Sequence, residues 1–288
     1  MLKYRIETKN RTEVIGLVFI ICVLVGVLTA FVGSLVGLGG GVILIPILIL
    51  LHQFVPGFEW ASPQAIVGIS LITMIFTSLS STLTYFKKGR VDYKTGLLFL
   101  TGSIPGSVFG SWLNQFMETD AFLLYFGILI IIISMLFFLK KRPQQKLTLR
   151  GKTRRSFLVD GELYEYAVSP VFAFFLSLTV GMMSGLFGIG GGSIMVPAMI
   201  LLFGFPVHIA TATSMFMIFF VSVIGASTHI ALGHIVWEYV LFFIPGAWIG
   251  GKLGAKTSQF LKGKTLEWVL RITLILIGVR MIINGLTA

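Results

Sequence analysis

Apolar stretches recur along almost the whole chain, separated by short polar loops, and the lengths of those stretches set the first prediction. In the first half they run from about Val14 to Val32, Ala65 to Phe86, Thr95 to Leu113 and Phe122 to Leu139. In the second half they run from about Ala167 to Met183, Ile209 to Leu232, Tyr239 to Ala255 and Leu266 to Ile283. Each is long enough, at about 17 to 25 residues, to cross a hydrocarbon core of roughly 30 Å as a helix. Two shorter runs, Val42 to Leu51 and Ser193 to Phe203, each follow a glycine triplet. At about 1.5 Å per residue they reach only roughly half way across. The pattern predicts an all-α polytopic membrane protein built from two homologous repeats, each of about four transmembrane helices plus a half-helix after a Gly-Gly-Gly break.

Composition agrees with that reading. Hydrophobic residues make up 56% of the 288 positions and charged residues 11%, against about 25% charged in an ordinary soluble domain. A polar stretch, 140–165, carries eight Lys and Arg residues between Lys140 and Arg155 and separates a first unit, 1–139, from a second, 166–288. Such a run can bind nucleic acid or acidic lipid, but in a membrane protein it marks the cytoplasmic side, so no nucleic-acid partner is expected. Cys22 is the single cysteine, which excludes an intramolecular disulfide and any two-thiol relay. Lys3, Arg5, Lys9 and Arg11 precede the first apolar run in the manner of a secretory signal. That run is longer than a signal core and has a counterpart before the second triplet, so a retained helix is expected.

The internal duplication is the main organisational feature. "GLGGGVILIP" at Gly37 to Pro46 is written again as "GIGGGSIMVP" at Gly188 to Pro197, and Leu35 falls on Leu186. With small shifts of register Ser70 matches Ser214, Ser78 matches Ser222, and "IPGSVFGSW" from Ile104 matches "IPGAWIGGK" from Ile244. If Lys3 to Arg11, Lys87 to Lys94 and Lys140 to Arg155 are all cytoplasmic, the half-helices enter without crossing and the chain crosses eight times in parallel repeats. Lys252, Lys256, Lys262 and Lys264 fit that scheme less well, which keeps ten crossings in inverted repeats as the rival.

A glycine triplet inside apolar sequence has a physical use. Irregular backbone at membrane depth survives only where protein or a polar cavity satisfies its amides. Glycine permits positive φ and close approach of a ligand or another backbone. The helix that follows then offers unpaired N–H groups and a positive dipole end, which together attract an anion. Candidate binding residues are therefore Gly39, Gly40 and Gly41 in one half and Gly190, Gly191, Gly192 and Ser193 in the other, with Val42 in place of Ser193 in the first. Ser70, Thr213 and Ser214, early in the helices after each half-helix, are the candidate hydroxyl donors. Close helix packing by small residues, and hydroxyls bonded to their own helix, explain the same features without a ligand.

These motifs resemble the sulfite exporter TauE/SafE family, also called the toluene sulfonate uptake permease family. The resemblance rests on the paired G-x-G-G-G motifs, the helix "IATATSMFMIFFVSVIGASTHI" and the two "IPG" helices, and spans about Val14 to Ile283. It implies a duplicated secondary transporter that moves sulfite, small organosulfonates or related carboxylates, with the bilayer and a small anion as its partners. The coupling ion, proton or sodium, is left open.

The remaining side chains narrow the classes. Arg271 and Arg280 sit in the last apolar run near its ends, where arginine commonly snorkels to the interface. No Asp or Glu lies at the centre of an apolar run, which argues against a buried carboxylate relay; His229, near its predicted helix end, is the one histidine placed to titrate in a cavity, although an interfacial position is the commoner case. The five tryptophans fit interface belts. There is no H-E-x-x-H, no mid-segment aspartate pair and no positioned serine nucleophile, so an enzyme and a resident cofactor are not expected. An anion channel and a membrane scaffold without transport are the alternatives.

Overall fold

The computed structural model describes residues 2–55, 57–58, 60–136, 153–159, 162–258 and 260, with single positions at 268, 272, 275, 279 and 283. The first half comprises α1 (Leu2–Val36), α2 (Gly41–Phe54), α3 (Pro63–Phe86), α4 (Tyr93–Asn114) and α5 (Thr119–Leu136). A hairpin of β1 (Thr153–Val159) and β2 (Glu162–Val168) follows, antiparallel with Thr153 opposite Val168. The second half comprises α6 (Pro170–Phe187), α7 (Gly192–Leu202), α8 (Val207–Ala231) and α9 (Trp237–Thr257). The last predicted segment, Leu266 to Ile283, with Arg271 and Arg280, lies outside the described residues apart from the single positions.

Local chemistry sets several of these boundaries. The Ser62 hydroxyl accepts the Ala65 N–H and Pro63 opens α3, while the Asp92 carboxylate accepts the Thr95 N–H at the start of α4. Gly188 closes α6 in the left-handed conformation that favours glycine, with φ 68°. Among the described residues, α1 (from Gly16), α3, α4, α6 and α8 are long and apolar enough to cross a membrane. Helices α2 and α7 are apolar but shorter, as is the stretch Thr119–Ile133 of α5.

Contacts between named residues fix the direction of each helix. Along α1 and α9, Gly246 packs on Val23 and Val27, Gly250 on Val27 and Ala30, and Gly254 on Phe31 and Ser34, so the two run parallel. Trp60 stacks on Tyr239 before α3, and Ser81 donates to the Gly251 carbonyl farther on, so α3 runs with them. Gly102, Gly106 and Gly110 of α4 pack successively on Ser177, Met182 and Leu186 of α6, again in parallel. Ser107 of α4 meets Gly225 of α8, and the Asp92 N–H donates to Thr213, placing α8 in that second group. At the centre α3 and α8 run antiparallel, with Gly68 against His229 and Leu71 against Gly225. They are the most enclosed of the five membrane-length helices, each with 78% of its apolar window buried against at most 50% in the others.

This arrangement corrects the sequence-based topology. The α1–α2 hairpin enters from the end marked by Trp60 and Tyr239, and the α6–α7 hairpin enters from the opposite end, so corresponding helices run in opposite directions. Helix α1 runs parallel to α3, which puts its start and the Lys87 to Lys94 loop at opposite ends. The eight-crossing parity argument assumed them at the same end. It failed because charge alone cannot tell a half-helix that stops from one whose hairpin partner reverses direction with it. The hairpin from Thr153 to Val168 is a second departure, since the basic run suggested only a linker.

Candidate functional site

The two glycine breaks meet at the centre of the bundle. Gly37, Gly39 and Gly40 take φ of 85°, 79° and 96°, and Gly188, Gly190 and Gly191 take 68°, 69° and 72°. These values lie where L side chains are strained and glycine is not. A Cβ on Gly41 would overlap the Gly188 carbonyl, and one on Gly192 would overlap the Gly37 carbonyl, so each break is seated against the other. Met74 of α3 and Ile218 of α8 pack on both Gly39 and Gly190. The same two serines that matched in sequence brace the crossing: Ser70 donates to the Gly188 carbonyl at 2.8 Å and Ser214 to the Gly37 carbonyl at 2.7 Å.

Beyond each break a half-helix starts with no side-chain cap, from Gly40 for α2 and Gly191 for α7. At α2 the Ile43 N–H donates to the Gly40 carbonyl at 3.0 Å, and the amides before it in each half-helix come too early for a partner one turn back. Pro46 and Pro197 lie one turn in, where the missing N–H leaves the carbonyls of Val42 and Ser193 without their helical donors. Each half-helix start thus carries backbone polar groups that the regular helix pattern does not pair, inside an apolar bundle.

A narrow cavity, about 10 Å3 and so the size of a single water, opens against the second break. It is lined by Gly190, Gly191 and Gly192, by Ser214, Met217 and Val221 of α8, by Val180 and Gly181 of α6, by Met195, and by Ser103 of α4. The hydroxyls of Ser103, Ser184, Ser193 and Ser222 are buried and have no hydrogen-bond partner within the protein. A buried polar group without a partner costs about 1–3 kcal/mol, and three of these, Ser103, Ser184 and Ser193, lie beside the second break. The walls are aliphatic chains, glycine backbone and serine side chains, and no charged side chain lines the cavity.

The candidate residues distribute unevenly. Gly190, Gly191, Gly192 and Ser214 line the cavity, and Ser193 lies beside it with its hydroxyl open. Gly39, Gly40 and Gly41 form the other break and do not line this cavity. Ser70 is at the crossing but commits its proton to the Gly188 carbonyl. Thr213 sits nearer the Lys87 to Lys94 end, where its oxygen accepts the Asp92 N–H at 3.0 Å. The two breaks touch each other, and this cavity lies at the second of them.

Ser103 is the residue that the motif reading passed over. It stands one position before Ile104, where the matching motif has Phe243 before Ile244. Phe243 is fully buried. A serine facing a phenylalanine across otherwise matching motifs was the available signal. Asp92, placed by sequence at a segment end, is also buried; its carboxylate accepts hydrogen bonds from the hydroxyls of Tyr166 and Thr95, which ties β2 to the start of α4. His229 is fully buried rather than interfacial, with its Nδ1 3.0 Å from Nδ1 of His234.

Comparison with known proteins points the same way. A family model described as sulfite exporter TauE/SafE matches residues 22–281. The chain is 44% identical over 269 residues to the probable membrane transporter protein YunE of Bacillus subtilis, covering 93% of this chain and 98% of that protein. It is 30% identical over 244 residues to a probable membrane transporter protein of Haemophilus influenzae, covering 84% and 85% respectively. No solved structure matches. A duplicated glycine break inside a bundle of membrane-length helices and a family match over most of the length lead to one statement: the chain belongs to the sulfite exporter TauE/SafE family.

Proposed function

We propose that the protein is a secondary transporter of small oxyanions, sulfite or organosulfonates foremost, working by alternating access around the second glycine break. The observation that carries this reading is the cavity at the uncapped start of α7, with the partnerless hydroxyls of Ser103 and Ser193 beside it. The N–H groups and dipole of α7 supply the positive potential. Ser103 and Ser193 supply open hydroxyls around it. Weak, charge-free binding of this kind favours release on the far side.

The two halves are read as inverted repeats, supported by the opposed directions of α1 and α6, α3 and α8, and α4 and α9. Inversion is the usual structural basis for exposing one central site to each side in turn. It also gathers Lys87, Lys88, Arg90, Lys94 and Lys256 at one end, as loop and helix-end charges of the cytoplasmic face. The central basic segment joins them through Tyr166 and Asp92. The carboxylates of Glu118 and Asp120 then fall on the outer face, together with the start of α1.

The test is flux in proteoliposomes of Cys22-free protein, offered sulfite, sulfoacetate, sulfate and acetate under imposed proton and sodium gradients. Saturable, gradient-dependent flux of one or more of these anions is the expected result. Linear flux that ignores both gradients would make the protein a channel, and no flux of any anion would return the breaks to a packing role.

A further inference from the structure

At the Trp60 and Tyr239 end of the bundle two histidines form a chain that leads inward. His234, in the loop between α8 and α9, is partly exposed, while His229, in the last turns of α8, is fully buried. Their Nδ1 atoms are 3.0 Å apart, and Nε2 of His229 lies 3.4 Å from the Gly185 carbonyl in the last turn of α6. Two imidazoles joined at Nδ1 share one proton between them. In the neutral pair, Nε2–H of His229 faces the Gly185 carbonyl and Nδ1–H of His234 donates to Nδ1 of His229.

An added proton has one open position, Nε2 of His234. Shifting the bridging proton then makes His229 the imidazolium, with both N–H groups on acceptors, and leaves His234 neutral with a proton on Nε2. One proton enters, no bond other than N–H changes, and the positive charge moves inward by one side chain. The imidazolium then faces the carbonyl of Gly185, three residues before the break at Gly188. Serines continue from there along α4: the Ser111 hydroxyl packs against Gly185, the Ser107 hydroxyl donates to the carbonyl of Val221 at 3.3 Å, and Ser103, one further turn along, lines the cavity together with Val221. The Ser103 and Ser111 hydroxyls are buried without partners.

The geometry points to the His229–His234 pair as a proton-binding site that couples proton movement to the anion cavity. This rests on the transport reading of that cavity. No ionisable side chain belongs to the packing segments of α3 or α6 at this end, and α4 presents Ser107, Ser111 and Asn114. The carboxylates at this end among the described residues, Glu118, Asp120 and Glu238, are all exposed at helix starts. The pair therefore carries its proton without a counter-charge in contact, which ties its loading to the arrival of an anion. Burial holds the His234 imidazole below its ordinary value.

The experiment compares Cys22-free protein with His229→Gln and His234→Gln in proteoliposomes, with sulfite as the probe in two assays. In one, an imposed proton gradient drives net accumulation; in the other, labelled sulfite exchanges against internal sulfite with no gradient. Both variants are expected to keep exchange within about twofold of the parent and to lose gradient-driven accumulation tenfold or more. Accumulation retained in both variants would overturn the proposal. Should His229→Gln fail to fold, His234→Gln, in the loop, decides alone. A second readout needs no cargo: nitrogen NMR of histidine-labelled protein, in which a coupling across the Nδ1···Nδ1 bond, lost in His234→Gln, is expected. Absent flux in the parent would sink the transport reading instead, and two histidines titrating independently would sink the pair.

Discussion

The hydroxyl of Ser70 in α3 donates to the carbonyl of Gly188, 118 residues away in sequence, at 2.8 Å. Ser214 returns the same bond to Gly37 from the antiparallel helix α8, at 2.7 Å. Each serine donates to a buried carbonyl of the opposite break, so the two breaks brace each other. Ser70→Ala or Ser214→Ala leaves a buried carbonyl short of a donor, at a cost of about 1–3 kcal/mol. The expected result is a lower Tm for each variant in detergent, with the double variant losing less than the sum of the two because the bonds support one crossing.

Gly41 and Gly192 are the positions where the backbones touch. Alanine at either would drive its Cβ into the opposing glycine carbonyl, a backbone atom that cannot swing aside. Both variants should lose at least tenfold in anion flux. Gly233→Ala, where φ is 74° but a Cβ would meet nothing within 4 Å, should cost about 1 kcal/mol of backbone strain and leave flux unchanged. Equal flux in all three would show that the contact between breaks is irrelevant to transport.

The direction of the second half has its own test. Gly204, between α7 and α8, and Lys88, between α3 and α4, are both exposed and lie at the same end of the bundle. Single cysteines placed at these two positions in Cys22-free protein should react with an impermeant thiol reagent from the same side of the membrane. Labelling from opposite sides would restore the parallel eight-crossing arrangement.

Much of the fold was legible because its signals are local. The lengths of the apolar runs gave α1, α3, α4, α6 and α8, and the glycine triplets placed the starts of α2 and α7 within a residue. What stayed hidden depends on pairing between distant segments. Whether α1 runs with α3 is decided by the glycines of α9 packing on Val23 to Ser34, a contact no single run of sequence displays. The serines show the same limit: whether a hydroxyl is spent on a carbonyl, as those of Ser70 and Ser214 are, or left for a guest depends on what the other half brings beside it. Ser193 and Ser103 are left open, and Thr213 accepts a loop amide.

Acid should destabilise the fold through His234. Its folded-state value is lowered by burial from an ordinary 6.5, so the unfolded chain binds more protons in that range and stability falls as pH drops through it. The Tm of the parent should decline as pH falls from about 7 to 5, a window around the ordinary histidine value, and His234→Gln should flatten part of that decline. An unchanged slope in the variant would show that the burial of His234 contributes nothing to it.

The most direct measurement of the central claim uses the position where the matching motifs differ. Ser103 leaves room beside the second break, and Phe243 holds the corresponding place in the other "IPG" motif with its ring fully buried. Ser103→Phe should fill the cavity as that ring fills its own surroundings. Saturable sulfite flux in proteoliposomes would be measured for the parent and for Ser103→Phe, with the variant's folding checked by its Tm and elution volume. The account predicts a folded variant with flux reduced at least a hundredfold. A folded Ser103→Phe protein that carries sulfite at the parent rate would place the anion path elsewhere.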